Sequence, residues 1–162
     1  MRPDIAPITW AAYQGGPFGK GYVLCQDGLI VEIVLPGKHL PAGAPKANED
    51  RQGFAGQCAW RLESLFTEGR DLSDLPIRWP EVPPFTRRVL EHCFAIPCGT
   101  VSSYGELARL AEKPQAVRAV GNAMAGNRLP LVIPCHRVLS AGNRLGHYGG
   151  GPEMKRWLLE RE

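Results

Sequence analysis

The apolar segment Leu131–Ile133 runs directly into Pro134-Cys135-His136-Arg137-Val138, and this junction constrains the fold more than any other feature of the chain. A short apolar run of this kind belongs in a core, so it carries the following cysteine to the edge of a buried segment. Pro134 stiffens the approach and removes a backbone donor. The sequence therefore predicts a thiol held at the mouth of the core.

The two residues after Cys135 indicate chemistry at that thiol. The thiolate is the reactive form of cysteine, and neighbouring basic or cationic groups lower the pKa of a thiol. His136 is a candidate general base, and Arg137 is a permanent positive charge. Most cysteines are simply packed in a core, and for the pair considered alone that interpretation stays open.

Composition limits the cellular setting. No apolar run approaches the roughly 20 residues that span a bilayer, and Met1–Asp4 begins no apolar signal region. The five cysteines form an odd set without the spacing of a disulfide framework. We therefore expect a cytoplasmic protein with free thiols and no membrane contact, associated with the nucleoid if it is bacterial.

The charge is unevenly distributed. Residues 1–80 contain 8 Lys and Arg against 9 Asp and Glu, a balance of −1, whereas residues 81–162 contain 11 against 7, a balance of +4. A basic second half favours a polyanionic partner for that half, although four charges alone are weak evidence.

The first half has the pattern of a sheet followed by a helix. Residues 8–35 predict strands, with a hairpin signal at Gln26-Asp27-Gly28. Residues 36–50 predict an exposed loop, and Ala55–Phe66 has helical spacing of its apolar residues. Four prolines in residues 69–84 indicate a linker or extended crossover.

The second half is predicted to be mainly helical. Ser103 and Glu106 form a capping box before a helix that runs to Ala111, and Pro114 fits the first residue of a helix over Gln115–Met124. Two helices with a tight connection indicate a helix-turn-helix, with a plain helical hairpin as the alternative. Other helices are predicted to include Phe85 to Phe94 and to begin at Pro152.

Further motifs follow one another in order from about Phe85 to the last residue. They are Phe85-Thr86, Ile96-Pro97-Cys98-Gly99, Ser103-Tyr104, Arg118-Ala119-Val120-Gly121-Asn122-Ala123-Met124, Asn127, Gly146-His147-Tyr148-Gly149-Gly150 and Lys155 to Glu162. Together with the Pro-Cys-His-Arg-Val run, this set resembles the methylated-DNA–protein-cysteine methyltransferases, also called O6-alkylguanine-DNA alkyltransferases. The first half resembles them only loosely.

The resemblance implies a two-part α/β (α+β) chain. Residues 1–80 would form a ribonuclease-H-like sheet domain, and residues 81–162 a helical, winged-helix-like domain with the helix-turn-helix, which binds DNA and transfers the alkyl group. The implied activity is irreversible, single-turnover transfer of an alkyl group from O6-alkylguanine, and from O4-alkylthymine, to Cys135. By the same resemblance His136 accepts the thiol proton through a water, Glu162 orients His136, and Tyr104 donates a proton to the leaving base.

The implied partner is double-stranded DNA bound in the minor groove by a monomer. The damaged nucleotide must leave the stack, because a protein sulfur cannot reach it inside a duplex, and Arg118 would fill the gap. The other DNA-binding candidates are Ser103, Ala119, Gly121, Asn122 and Met124.

The resemblance also implies a base pocket. Asn127 would hold the turn around Cys135, Arg137 would support the site, and the Val138 carbonyl would accept from the guanine amino group. Tyr148, Gly149 and Gly150 would form a mobile lid. Many family members carry serine at the Gly149 position, where a backbone amide remains available.

No cofactor and no metal are expected. Some family members hold zinc in the first domain, but Ile30 stands where a histidine ligand would accompany Cys25, and there is no CxxC pair. Two other functions remain as alternatives. A non-enzymatic lesion-binding protein of the alkyltransferase-like class would carry tryptophan in place of Cys135. A cysteine hydrolase would need a distant histidine and an oxyanion hole.

Overall fold

A computed structural model of the chain describes residues 5–44 and 48–162. The expectation about Met1–Asp4 and the part of the expected loop at residues 45–47 lie outside the described residues. Residues 36–44 form turns, as predicted, and Glu49 bridges to Trp10 at the edge of the sheet.

The first half contains a three-stranded antiparallel sheet in the order β1 (Thr9–Gln14), β2 (Lys20–Gln26) and β3 (Leu29–Val34). The predicted hairpin is confirmed. Asp27 and Gly28 alone connect β2 to β3, and both have positive φ, 51° and 70°. Two consecutive residues of this kind match the twist of the flanking strands, which fixes the pairing register.

Helix α1 (Phe54–Glu68) covers one face of this sheet. Its buried side includes Ala59, Leu62, Leu65 and Phe66, the face that the sequence predicts. The proline-rich segment that follows is extended, and Ile77 pairs with Ile30 beside β3. The segment is therefore an extended crossover that adds a short parallel pairing to the sheet.

The second half packs the helices α2 (Pro84–Phe94), α3 (Tyr104–Leu110), α4 (Val117–Ala125) and α5 (Pro152–Arg161). The strands β4 (Ser102–Ser103) and β5 (Val138–Leu139) form a two-residue parallel pair that ties the start of α3 to the segment after Cys135. This pairing brings Tyr104 and Cys135 into the same region of the fold.

Two details of the helix pair differ from the prediction. The second helix begins at Val117 rather than near Pro114, because the Ala116 amide bonds to the Lys113 carbonyl and closes a turn first. Only half of the capping box forms. Ser103 Oγ accepts from the Glu106 amide at 3.1 Å, but the Glu106 carboxylate pairs with Arg109 instead.

The described chain is thus a mixed α/β structure with a small sheet and five α-helices, as expected at that level. One buried apolar cluster includes residues from both halves, and Arg128 pairs with Glu32 across them at 3.0 Å. The ribonuclease-H-like and winged-helix-like descriptions, and the boundary between residues 80 and 81, stay predictions.

Candidate active site

Cys135 begins a single 3-10 turn, Cys135–Arg137, and its side chain is 8% exposed. Asn127 holds the segment before it. Its Nδ2 donates to the Ile133 carbonyl at 2.9 Å, and its Oδ1 accepts from the Leu129 amide at 3.0 Å. Leu131 between them has φ of 74°, a strained value for a residue with a side chain. These hydrogen bonds support the role that the resemblance implies for Asn127, and that role stays a prediction.

A buried charge cluster lies behind the thiol. His136 Nε2 and Glu162 Oε1 are 2.8 Å apart, with side chains 0% and 1% exposed. Arg137 donates to both Glu162 oxygens at 2.9 Å and to the Ile96 carbonyl at 2.8 Å. The last residue is thus held by two side chains from the Cys135 turn rather than frayed in solvent.

The position of Arg137 corrects one expectation. Sequence proximity predicts that this guanidinium lowers the pKa of Cys135, but its hydrogen bonds are directed to Glu162 and Ile96. Successive residues of a tight turn point in different directions, so chain neighbours need not be spatial partners. The His136 Nδ1 atom is also buried, and it bonds to no group of the described residues.

A second buried cation near the thiol is Lys155 of α5, which is 0% exposed. Its Nζ donates to the Val138 carbonyl at 2.6 Å. Burial raises the pKa of Cys135, while a hydrogen bond from Asn127 and the positive charge of Lys155 oppose that rise. Burial likewise lowers the pKa of Lys155, and the nearby thiols Cys135 and Cys93 counteract this. Within residues 5–44 and 48–162 no carboxylate pairs with Lys155, and burying such a lysine is costly, which is typical of a functional group.

We predict that Lys155→Met raises the pKa of Cys135 and slows its reaction with electrophiles at neutral pH by about tenfold, the effect of one pKa unit. The measurement is the rate of Cys135 alkylation as a function of pH. Arg156→Met, an exposed neighbour on α5, is the matched control. An identical pH profile for Lys155→Met and the wild type would contradict this electrostatic role.

The carboxyl of Glu162 has an unusually low pKa. Burial opposes its ionisation, but hydrogen bonds from His136 and Arg137 outweigh burial and hold the pKa of Glu162 at about 2. For His136 burial dominates and lowers the pKa of the imidazole, although its bond to Glu162 acts in the opposite direction. Neutral imidazole beside ionised carboxylate is the resulting state at neutral pH.

Both shifts predict a loss of stability in acid. A group with a lowered folded-state pKa contributes stability above its unfolded pKa and loses it as pH falls through the folded pKa. Glu162, shifted from 4.5 to about 2, should contribute about 3 kcal/mol that disappears over that interval. The loss from His136 should begin below pH about 6.5. Urea unfolding at several pH values measures the free energy of unfolding as a function of pH. Glu162→Gln should make this dependence flatter below pH about 4.5. An equally steep dependence in the variant would contradict the prediction.

A cavity of about 870 Å³ opens in front of Cys135. Tyr104 lines it from the start of α3, and its Oη donates to the His147 carbonyl at 3.4 Å. Burial, and then the negative charge that Cys135 and Cys93 can carry, raise the pKa of the Tyr104 phenol. The predicted site residues that line this cavity are Tyr104, Arg118, Gly121, Asn122, Met124, Asn127, Cys135, Tyr148 and Gly149.

The exposed side of α4 lies at the cavity mouth. Arg118 and Asn122 are exposed there, whereas Met124 is 7% exposed and faces the interior. A Cβ added to Gly121 would meet nothing within 4 Å. Packing within the described chain therefore does not require a small residue at this position, while close approach of another surface would.

Several predicted residues do not line the cavity. His136, Arg137 and Glu162 lie behind the thiol, and Ser103 and Ala119 lie at the starts of α3 and α4. The Val138 carbonyl already accepts from Lys155 and retains a second lone pair. Gly150 packs closely on Met154, because a Cβ there would lie 2.4 Å from the Met154 sulfur.

Sequence reasoning missed several residues of the site, among them Lys155 and a group from the first half of the chain. Lys155 lies between Met154 and Leu158 on the buried side of α5, so a lysine at an inward helical position was the available signal. Residues from the end of β3 and the following turns also line the cavity, and no local pattern indicates this. They are Glu32, Ile33, Val34, Leu35, Lys38, His39 and Pro41.

The described residues contain no group of three or more His, Cys, Asp or Glu side chains placed to hold a metal ion. Cys25 lies beside Cys58 of α1, and a hydrogen bond with Cys58 raises the pKa of Cys25. All five cysteines are free. The absence of zinc stays a prediction.

Comparison with known proteins places this site in a family. Residues 84–162 match the family described as 6-O-methylguanine DNA methyltransferase, DNA binding domain. The methylated-DNA–protein-cysteine methyltransferase of Mus musculus is 39% identical over 163 residues, covering 90% of this chain and 77% of that protein. The chain belongs to the methylated-DNA–protein-cysteine methyltransferase family. The Haemophilus influenzae member is 42% identical over 151 residues, covering 93% of this chain and 84% of that protein.

Solved structures agree with the assignment. Mycobacterium tuberculosis OGT in complex with DNA superimposes with a TM-score of 0.81 at 28% identity, covering 94% of this chain and 91% of that one. The O6-methylguanine-DNA methyltransferase of Pyrococcus kodakaraensis has the same fold, with a TM-score of 0.68 at 21% identity, covering 96% and 98%. This family member is accordingly a DNA-binding methyltransferase of DNA alkyl repair. Among residues 5–44 and 48–162, no helix has the length and apolar character needed to cross a membrane.

Proposed function

We propose that this methyltransferase repairs double-stranded DNA by transferring the alkyl group of O6-alkylguanine, and of O4-alkylthymine, to Cys135 in a single irreversible turnover. The observation that carries the proposal is the position of Cys135, which lies at the base of an 870 Å³ cavity with Lys155 and the His136–Glu162 pair behind it. Burial raises the pKa of Cys135, while the nearby cation opposes this rise, and a thiol with a cation and a base beside it suits nucleophilic displacement at carbon.

The proposed reaction divides the work among four side chains. His136 Nδ1 accepts the thiol proton through a water, and Glu162 holds the imidazole by its other nitrogen. The sulfur lone pair forms a bond to the alkyl carbon while the bond between that carbon and O6 breaks. The electron pair of the broken bond stays on the guanine. Tyr104, which faces the same cavity, donates its proton to the departing base. The thioether product is a very poor leaving group, so each molecule reacts once.

The base is proposed to be held by backbone groups. The second lone pair of the Val138 carbonyl accepts from the guanine amino group, and the Gly149 amide donates to the base oxygen. Tyr148 and Gly150 complete the lid. Arg137 supports the site by anchoring Glu162 rather than by touching the base.

The proposed DNA contact is the exposed side of α4 in the minor groove of the duplex. Gly121 and Ala119 allow close approach of the backbone, while Asn122 and Ser103 add polar contacts. Met124, which the resemblance places among the DNA-binding residues, is buried and lines the cavity beneath this surface instead. Arg118 enters the duplex and occupies the gap left by the flipped nucleotide. We propose that the protein acts as a monomer in the cytoplasm, which suits its free thiols.

The direct test mixes the protein with an excess of duplex containing one O6-methylguanine and follows intact mass. The expected result is a gain of one methyl per chain and no further conversion of the remaining lesion. Continued conversion by a fixed amount of protein would refute the single-turnover mechanism, and unaltered mass with bound DNA would favour lesion binding alone.

Arg118→Ala should slow repair in duplex DNA much more than reaction with free O6-benzylguanine, because the free base needs no flipping. The expected difference is on the order of tenfold, which corresponds to Arg118 offsetting about 1.4 kcal/mol of the few kcal/mol that unstacking a base costs. The measurement is the ratio of the two rates at fixed salt, because phosphate contacts make binding salt-dependent. Arg70→Ala, an exposed arginine of the first half paired with Glu68, is the control. Equal slowing on both substrates would mean that Arg118 supports the fold or pocket.

A further inference from the structure

The first half of the chain supplies one wall of the cavity in front of Cys135. Ile33 and Val34 at the end of β3, then Leu35 and Pro41, line it opposite the helices of the second half. Ile33 and Leu35 are buried, 4% and 9% exposed, so this wall is fixed by the packing of the sheet. The cavity in front of Cys135 is therefore bounded by both halves of the protein.

One contact joins this wall to the lid. A Cβ added at Gly149 would lie 3.4 Å from Leu35 Cδ1, at ordinary van der Waals distance. Gly149 is not among the positive-φ residues, so alanine there needs no backbone strain. A methyl group added at Gly149 would therefore touch Leu35, which lies directly across from the lid at this point.

The cavity is larger than a methyl group requires. Its volume of about 870 Å³ lies toward the upper end of the range for small-molecule pockets, about 300–1,000 Å³. A cavity of this size does not select methyl by general tightness. Selection by size must come from the particular side chains that limit the space around the lid.

We propose that Leu35, packed against Gly149, sets the upper size limit of the alkyl group that Cys135 accepts, and that a side chain at Gly149 would lower that limit. This inference rests on the proposed alkyl transfer. Leu35 is thereby a specificity-determining residue of the first half, acting by shape and not by chemistry. One methylene of space in an apolar pocket changes relative rates by about 10- to 200-fold.

The test compares single-turnover rates on two duplexes of the same sequence, one with O6-methylguanine and one with O6-benzylguanine. Leu35→Ala should raise the benzyl-to-methyl ratio about tenfold, and Gly149→Ala should lower it by a similar factor. The double variant should return near the wild-type ratio, because the two residues bound the same space. Leu35→Val should raise the benzyl-to-methyl ratio less than Leu35→Ala does, and it should also disturb the packing of the core less.

Leu75→Ala is the matched control, because Leu75 is also buried, 8% exposed, in the same apolar cluster but does not line this cavity. It should leave the ratio unchanged. If the wild type transfers methyl to Cys135 and Leu35→Ala and Leu35→Val both leave the ratio at the control value, the size-limit inference is wrong while alkyl transfer stands. If the wild type transfers no methyl, the proposed function itself fails.

Discussion

Cys135→Ala is expected to abolish alkyl transfer completely while binding to an O6-methylguanine duplex stays close to that of the wild type. The sulfur is the proposed acceptor, and no other thiol lines the cavity among the described residues. The α4 surface proposed to contact DNA is untouched by the substitution. Intact mass measures transfer, and fluorescence anisotropy with a labelled duplex measures binding.

Peptide mapping of the reacted wild type supplies the control. The alkyl group should be found on Cys135 alone. Cys93 lies close to it, but burial raises the pKa of the Cys93 thiol well above its ordinary value, so that thiol stays protonated. Alkyl groups on Cys25, Cys58, Cys93 or Cys98, or residual transfer by Cys135→Ala, would contradict the assignment.

Glu162→Gln is expected to slow alkyl transfer at neutral pH by on the order of 100-fold, the lower end of what a positioned general base contributes. The carboxylate raises the pKa of His136 against the effect of burial, so its loss makes the imidazole a weaker base. The thiolate then forms only at higher pH, and the rate profile should move upward in pH. DNA affinity should hardly change.

Glu160→Gln, an exposed carboxyl on the same helix, is the matched control and should leave the profile in place. Because Glu162→Gln also removes the negative charge between His136 and Arg137, rates are compared below the unfolding temperature of the variant. If the folded variant has the same pH profile of alkyl transfer as the wild type, Glu162 anchors the end of α5 without acting on the thiol.

Local patterns predicted much of the secondary structure. The hairpin at Asp27-Gly28 and the buried face of α1 follow from turn chemistry and helical spacing, which depend on neighbours in sequence. The start of α4 was predicted too early, because Pro114 is equally suited to the turn that the Lys113 carbonyl closes. Glu106 was predicted to cap α3 by accepting from a backbone amide, but its carboxylate accepts from Arg109 instead. Either hydrogen bond would satisfy the carboxylate, and local sequence does not distinguish them.

The sequence by itself determined the family and indicated Cys135, His136 and Asn127 as candidate site residues, because these residues form ordered motifs along the second half. Only the tertiary structure shows which groups the two neighbouring cations bond to. Arg137 is adjacent in sequence but bonds to Glu162, while Lys155 is 20 positions away and reaches the Val138 carbonyl. Likewise, Leu35 faces Gly149 across more than 100 residues. Electrostatic and steric effects depend on distance in space, and packing of the two halves sets those distances.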